Sequence, residues 1–190
     1  MLTFKEETHE YRWKGKTVPS VTQVLKPISG YDGIPKHILD AAAERGTTVH
    51  LMTEMDDYGT LGEYPEEYQP YLDAWRTFKF AHNVEIELVE CRIYHSSGYA
   101  GMLDRIIRVK GKRILMDIKT TAKHMPSVGP QTAAYLQAFT EMDPDDPCKE
   151  RWSVRLQKDG RFDLTKLKDR SDLSTFNSCL NITRWKQKHD

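Results

Sequence analysis

Gly98-Tyr99-Ala100-Gly101-Met102-Leu103-Asp104 and, after a basic turn, Ile114-Leu115-Met116-Asp117-Ile118-Lys119-Thr120 are the stretches around which the chain reads. Ile106, Ile107 and Val109 form one expected strand and Ile114 to Ile118 the next, with Lys110-Gly111-Lys112 as the turn of a hairpin. Two adjacent antiparallel strands then carry Asp104 at the start of one and Asp117 at the end of the other. Both carboxylates fall at the same end of the pair. Strand side chains alternate faces, so Lys119, two residues beyond Asp117, points to the same side as that aspartate. Two carboxylates with free oxygens suit a hard divalent cation, and a lysine beside them can orient or deprotonate a water. Asp-x-Lys also occurs at strand ends as a plain solvated pair, so the weight of the reading comes from the flanking segments.

The chain has 190 residues, 38% of them hydrophobic, and no long apolar run, which fits one soluble domain with a real core. Residues 1–190 are expected as that domain, with an N-terminal hairpin and helices over 1–83, a sheet and helix over 84–157, and a C-terminal helical segment over 158–190. No signal peptide or membrane span is evident. Cys91, Cys148 and Cys179 are too few and too scattered for a disulfide framework or a four-thiolate metal site, and a reducing cytoplasm is the expected location. A formal net charge of zero removes any global pull on nucleic acid, so such binding would need a local basic patch.

Phe4 to Trp13 alternates like a small hairpin, closed by Val18-Pro19-Ser20. Ser20 caps a short helix that stops before Pro27, and Ser29 to Gly33 reads as a loop. Pro35 starts a longer helix running toward Met55. Gly46 in its middle costs roughly 1 kcal/mol against alanine, which points to a close backbone approach or a break. His50 and Glu54, four apart, share a helix face. Glu66 to His82 is amphipathic, and its stripe of Tyr68, Tyr71, Leu72, Trp75 and Phe78 reads as core rather than as a stacking platform. Val84 to Tyr94 is an expected strand on which Glu90 is either a further site carboxylate or solvated. A polar loop comes after Lys119, then a helix from Pro130 on which Gln131 and Tyr135 share a face. Trp152 to Gln157 reads as a last strand, and Ser171 caps a terminal helix.

Taken in order, Arg45-Gly46-Thr47-Thr48-Val49-His50 with Glu54, Gly98 to Asp104, Asp117-Ile118-Lys119, and Gln131 with Tyr135 resemble the motif set of PD-(D/E)XK nucleases. The similarity is closest to the RecB-like branch, which includes exonucleases of the lambda-exonuclease type. It spans about Ser20 to Phe139, and its strength lies in four motifs in order with compatible spacing. The resemblance implies an α/β fold with a restriction-endonuclease-like core, a mixed central sheet flanked by α-helices. It also implies His50, Asp104, Asp117 and the Ile118 carbonyl as metal ligands, with Lys119 positioning or activating the attacking water. Gln131 and Tyr135 match the helical motif beside the active site, and Glu54 an acidic position that accompanies the histidine. No proline precedes Asp104, and Asp rather than Glu stands before x-Lys; both lie within the tolerance of the pattern.

The activity implied by the resemblance is that of a metal-dependent DNA exonuclease of phage-type recombination, replication or repair. Its cofactor would be Mg²⁺, with Mn²⁺ acceptable to a histidine-containing site. An endonuclease of the same fold and a non-catalytic DNA-binding recombination partner are the alternatives. DNA is the implied partner. A single-strand annealing protein and a homo-oligomer are implied by analogy only, no membrane is expected, and the location would be a host cytoplasm were the chain phage-encoded. Arg45, Arg105 and Lys123 are the expected DNA contacts, within a wider basic set of Arg108, Lys110, Lys112 and Arg113 that also reads as ordinary solvated surface.

Overall fold

A computed structural model of the chain describes residues 1–30 and 33–189. The loop expected over Ser29 to Gly33 therefore includes two residues, Tyr31 and Asp32, outside the described set. The N-terminal segment is a three-stranded antiparallel sheet, β1 (Leu2–Lys5), β2 (Glu10–Trp13) and β3 (Lys16–Val18), one strand more than the expected hairpin. Ser20 then caps α1 (Val21–Val24) with a full capping box, its hydroxyl accepting from the Gln23 amide while the Gln23 side chain accepts from the Ser20 amide. The Ala100 amide donates to the Pro19 carbonyl at 3.0 Å, which ties this junction to the central sheet.

The central sheet has five strands in sequential order: β4 (Glu85–His95), β5 (Tyr99–Val109), β6 (Lys112–Lys119), β7 (Glu150–Leu156) and β8 (Phe162–Leu167). All neighbours are antiparallel except β6 and β7, which run parallel, so the sheet is mixed. The parallel step needs a crossover, and α4 (Val128–Met142) supplies it. One face of the sheet packs on α1, α4 and α5 (Asp172–His189) through Tyr99, Leu103, Ile106, Leu115, Phe139 and Phe176. The other packs on α2 (Lys36–Tyr58) and α3 (Gln69–His82) through Ile107, Met116, Ile118, Val49, Trp75 and Phe78. This is an α/β fold in which a mixed five-stranded sheet is flanked by helices. Among the described residues no helix is long and apolar enough to cross a membrane.

Several elements differ from the sequence reading. β5 begins at Tyr99 rather than Ile106, so the glycine-containing motif is strand and Asp104 lies in its middle. α2 runs unbroken through Gly46 and continues to Tyr58, where Gly59 ends it in a left-handed conformation with φ 68°. A Cβ on Gly46 would stand in ordinary contact, 3.9 Å from Thr120 Oγ1, so the glycine marks neither a break nor the close approach expected from it. β8 was not expected, because Phe162-Asp-Leu-Thr-Lys-Leu167 carries too few apolar residues to stand out as a strand. The aromatic stripe on α3 behaves as core: Trp75, Phe78 and Leu72 are fully buried.

Candidate active site

β5 and β6 pair in a register that sets Arg105 opposite Met116, which brings Asp104 and Asp117 side by side where the two strands part. Asp104 is buried, and its Oδ2 accepts the Ile118 amide at 2.6 Å, locking the two strands together at this point. Asp117 is 1% exposed; its Oδ1 accepts from Lys119 Nζ at 2.7 Å and from Gln131 Nε2 at 3.2 Å. Asp117 Oδ2 is buried with no hydrogen-bond partner among the described residues. Burial pushes the Asp117 carboxyl up to about 6, against the pull of Lys119 and with a further push from Asp104.

Helix α2 carries His50 to the same point. His50 Nε2 donates to the Ile118 carbonyl at 3.1 Å, and Nδ1 faces Glu90 Oε1 at 3.5 Å and Asp104 Oδ2 at 3.8 Å. Burial draws the imidazole pKa down, but Asp104 and Glu90 together outweigh it and hold the ring above its ordinary value. Among the described residues His50, Glu90 and Asp104 form the group of ligand-type side chains able to share one cation, their ligand atoms all within 4.8 Å of one another.

Glu90 sits on β4, across from Asp104, in a left-handed conformation with φ 46°. A non-glycine residue there costs about 1–3 kcal/mol and persists only where its surroundings hold it. The two-residue alternation slips at the same place. Leu103 and Ile106 both face the α4 side although they are three apart. Alternation read from sequence therefore gives no reliable direction for Glu90.

Arg105 holds this geometry. Its side chain is fully buried, donating to Asp57 Oδ2 at 2.7 Å, Glu90 Oε1 at 3.1 Å, the Asp104 carbonyl at 2.7 Å and Thr53 Oγ1 at 3.2 Å. The expectation of Arg105 as a DNA contact is corrected by this burial: its donors face inward and no phosphate can reach them. Three of the hairpin cations are likewise engaged, and Lys110 stands exposed at the turn. Arg108 pairs with Glu87 and Asp146, Arg113 with Glu87 and Asp143, and Lys112 with Glu150. Lys123 is exposed on the loop after β6, and Arg45 lies half-buried on α2.

The predicted residues thus split into groups. His50, Asp104, the Ile118 backbone, Asp117, Lys119 and Gln131 meet at one place, and Tyr135 joins through its hydroxyl, 3.3 Å from Gln131 Nε2. Glu54, half-buried one turn beyond His50, enters none of these bonds, and Glu90 stands in the acidic position beside the histidine instead. Gly101 is what lets Tyr135 in, since a Cβ there would stand 2.7 Å from the ring's Cε1.

The donor set suits a divalent cation on its own chemistry. Carboxylate oxygens with a single imidazole fit Mg²⁺ or Mn²⁺, and a buried unpaired Asp117 oxygen is a costly feature that a cation or its water would relieve.

No protein-family model matches the chain, and no curated protein matches it. Among solved structures, an alkaline exonuclease, LHK-Exo from Laribacter hongkongensis, is similar at 14% identity and a TM-score of 0.39, over 90% of this chain and 94% of that one. The structure of SSO0001 is similar at 22% identity and a TM-score of 0.38, over 60% of this chain and 56% of that one, so just over half its length is spanned. Both likenesses are remote.

Proposed function

We propose that the protein is a divalent-metal-dependent nuclease that hydrolyses phosphodiester bonds in DNA, acting as an exonuclease. The observation that carries this reading is the meeting of Asp104, Asp117, His50 and Glu90 with Lys119 at one strand end, one buried carboxylate oxygen being left unpaired. The ordered motif resemblance from Arg45 to Tyr135 supports the same chemistry and the same PD-(D/E)XK assignment, RecB-like branch.

Asp104, Glu90, His50, Asp117 and the Ile118 carbonyl would hold the cation, Mg²⁺ with Mn²⁺ as a substitute. When bound, the cation supplies charge relief on the non-bridging phosphate oxygens and the leaving oxygen. His50 would offer Nδ1 to the cation while its Nε2–H stays on the Ile118 carbonyl, which fixes the ring's orientation. Lys119, held by Asp117 at 2.7 Å, is placed to orient the attacking water and steady the developing negative charge. Gln131 fixes Asp117 Oδ1 from α4, and Tyr135 braces Gln131.

The test is cleavage of matched linear and covalently closed circular DNA, labelled at the 5′ or 3′ end, with Mg²⁺, Mn²⁺ or EDTA. Loss of the linear form alone, dependent on metal and abolished in Asp104→Asn, is the expected result, and the order of label release gives the polarity. Cutting of the circle would replace exonuclease by endonuclease. A folded protein that binds DNA and cleaves neither form would sink the enzymatic reading in favour of a recombination partner.

A further inference from the structure

Arg105 touches each of the three elements that bring ligand-type side chains to the candidate site. Through Nη1 it donates to Glu90 Oε1 on β4 and to the Asp104 carbonyl on β5. Through Nη2 it donates to Thr53 Oγ1 on α2, and that hydroxyl donates on to the His50 carbonyl at 2.9 Å. His50, Glu90 and Asp104 are the residues whose ligand atoms lie close enough to share one cation. One planar guanidinium, its donors in a fixed fork, therefore ties all three together.

The same arrangement raises an electrostatic difficulty. Glu90 Oε1 accepts from Arg105 at 3.1 Å, so a cation on Glu90 would face a full positive charge across a single carboxylate. The Arg105 side chain is sealed from water, where like charges repel more strongly than at the surface.

Asp57 answers that charge. It lies two turns past His50 on α2, on nearly the same helix face, and its side chain is as fully buried as that of Arg105. Its Oδ2 accepts from Arg105 Nε at 2.7 Å. Its Oδ1 accepts from Trp75 Nε1 at 3.0 Å and from Lys79 Nζ at 2.6 Å, which fasten the carboxylate to α3. Lys79 is itself paired with Asp56 at 2.9 Å, so its charge does not undo that of Asp57. The guanidinium lies over the Trp75 ring, its Cζ 5.8 Å from the ring centre. Core packing alone does not call for such a set, since a buried ion pair is often no more stabilising than apolar residues of the same volume. The set ends instead on Glu90, whose left-handed backbone needs its surroundings to hold it.

We propose that Arg105 is the positioning residue of the cation site, fixing the spacing of His50, Glu90 and Asp104, and that Asp57 is the counter-charge that lets it do so without repelling the cation. This rests on the metal-dependent reading above. Losing the fork and losing the counter-charge then weaken cation binding by different routes, the first by loosening Glu90 and the second by leaving the Arg105 charge unanswered.

Mn²⁺ binding without DNA, read from the EPR signal of the free ion, tests this apart from cleavage. Arg105→Lys keeps the charge and loses the fork; Asp57→Asn keeps the shape and loses the counter-charge. Each is expected to raise the Mn²⁺ dissociation constant about tenfold or more. In a Glu90→Gln background Arg105→Lys is expected to add less than about threefold, because Glu90 is the one ligand side chain that Arg105 touches directly. Circular dichroism and thermal melting in EDTA check the fold, and either variant alone decides the matter where the other does not fold. A purely structural role would lower the Tm and leave the Mn²⁺ constant of the folded variant within about twofold of wild type, which would overturn the proposal. A penalty from Arg105→Lys that is as large without the Glu90 carboxylate as with it would overturn it too. Wild type that binds no Mn²⁺ would remove the metal-dependent reading and this proposal with it, whereas wild type that binds Mn²⁺ and cleaves nothing leaves the proposal to stand on the binding constants.

Discussion

Asp117 shows what a single buried carboxylate costs and what it prepares. Its pKa, raised from 3.8 to about 6 by burial, means that the metal-free folded protein binds a proton more readily than the unfolded chain. Stability without metal therefore falls as pH rises from about 4 to about 6, and the full cost is present at pH 7. Asp117→Asn is expected to raise the Tm of the EDTA-treated protein at pH 7 by about 2–5 °C while abolishing cleavage. It should also remove the Tm increase that Mg²⁺ gives the wild type. A lower Tm for the variant in EDTA would mean that the bond to Lys119 outweighs the burial cost. Glu90 and Glu54 allow a sharper comparison. Glu90→Gln is expected to raise the Mn²⁺ concentration for half-maximal cleavage by about tenfold or more, and Glu54→Gln to leave it within about twofold. The reverse ranking would give the acidic role beside the histidine to Glu54, which shares the helix face of His50.

At the scale of elements, the crossing of α4 over β5 depends on Gly101, where a Cβ would meet the Tyr135 ring at 2.7 Å, with Val21 and Ile93 close behind. Gly101→Ala is expected to cost about 1–3 kcal/mol in urea unfolding, because a ring packed among buried side chains cannot shift freely. It should also lower kcat by displacing Tyr135 and, through it, Gln131. An unchanged urea midpoint would show that the ring has room to move. The β5–β6 pairing and the placement of Lys119 beside Asp117 were legible from alternation and turn chemistry, whereas the start of β5 was not, since the strand runs back to Tyr99 and leaves Asp104 in its middle. Arg105 was not, because a lone arginine next to an aspartate looks the same whether it faces water or a buried Asp57 48 residues away. Nor was Glu90, whose direction is set by a left-handed backbone and a slip in alternation that no two-residue pattern encodes. β8 escaped because an edge strand needs only one covered face, and its sequence alternates weakly.

The whole molecule carries no net charge, yet its function as proposed requires a polyanion. The distribution of pairs resolves this. Arg108, Lys112 and Arg113 of the β5–β6 hairpin are neutralised by Glu87, Asp143, Asp146 and Glu150, whereas Lys110 at its turn, Arg45 and Lys123 enter no ion pair among the described residues. Lys158, which shares the lining of a cavity with Arg45 and Thr120 just past β6, is a further cation with no ion pair among the described residues, and Arg45, Lys123 and Lys158 make three beyond the hairpin. Each phosphate contact contributes about −0.9 to the slope of log affinity against log salt on duplex DNA. The expected slope, measured by anisotropy with Ca²⁺ in place of Mg²⁺, is therefore about −3. Engagement of Arg108, Lys112 and Arg113 as well would steepen it to about −5. A slope of that steeper size would mean that DNA breaks the hairpin ion pairs on binding, and Glu87→Gln would then tighten binding rather than merely loosen the hairpin. The shallower slope, left unchanged by Glu87→Gln, places the electrostatic footprint on the α2 and β7 side of the carboxylates. DNA would then be drawn in by a few cations beside the catalytic groups, and association would be less sensitive to salt than a broad basic surface allows.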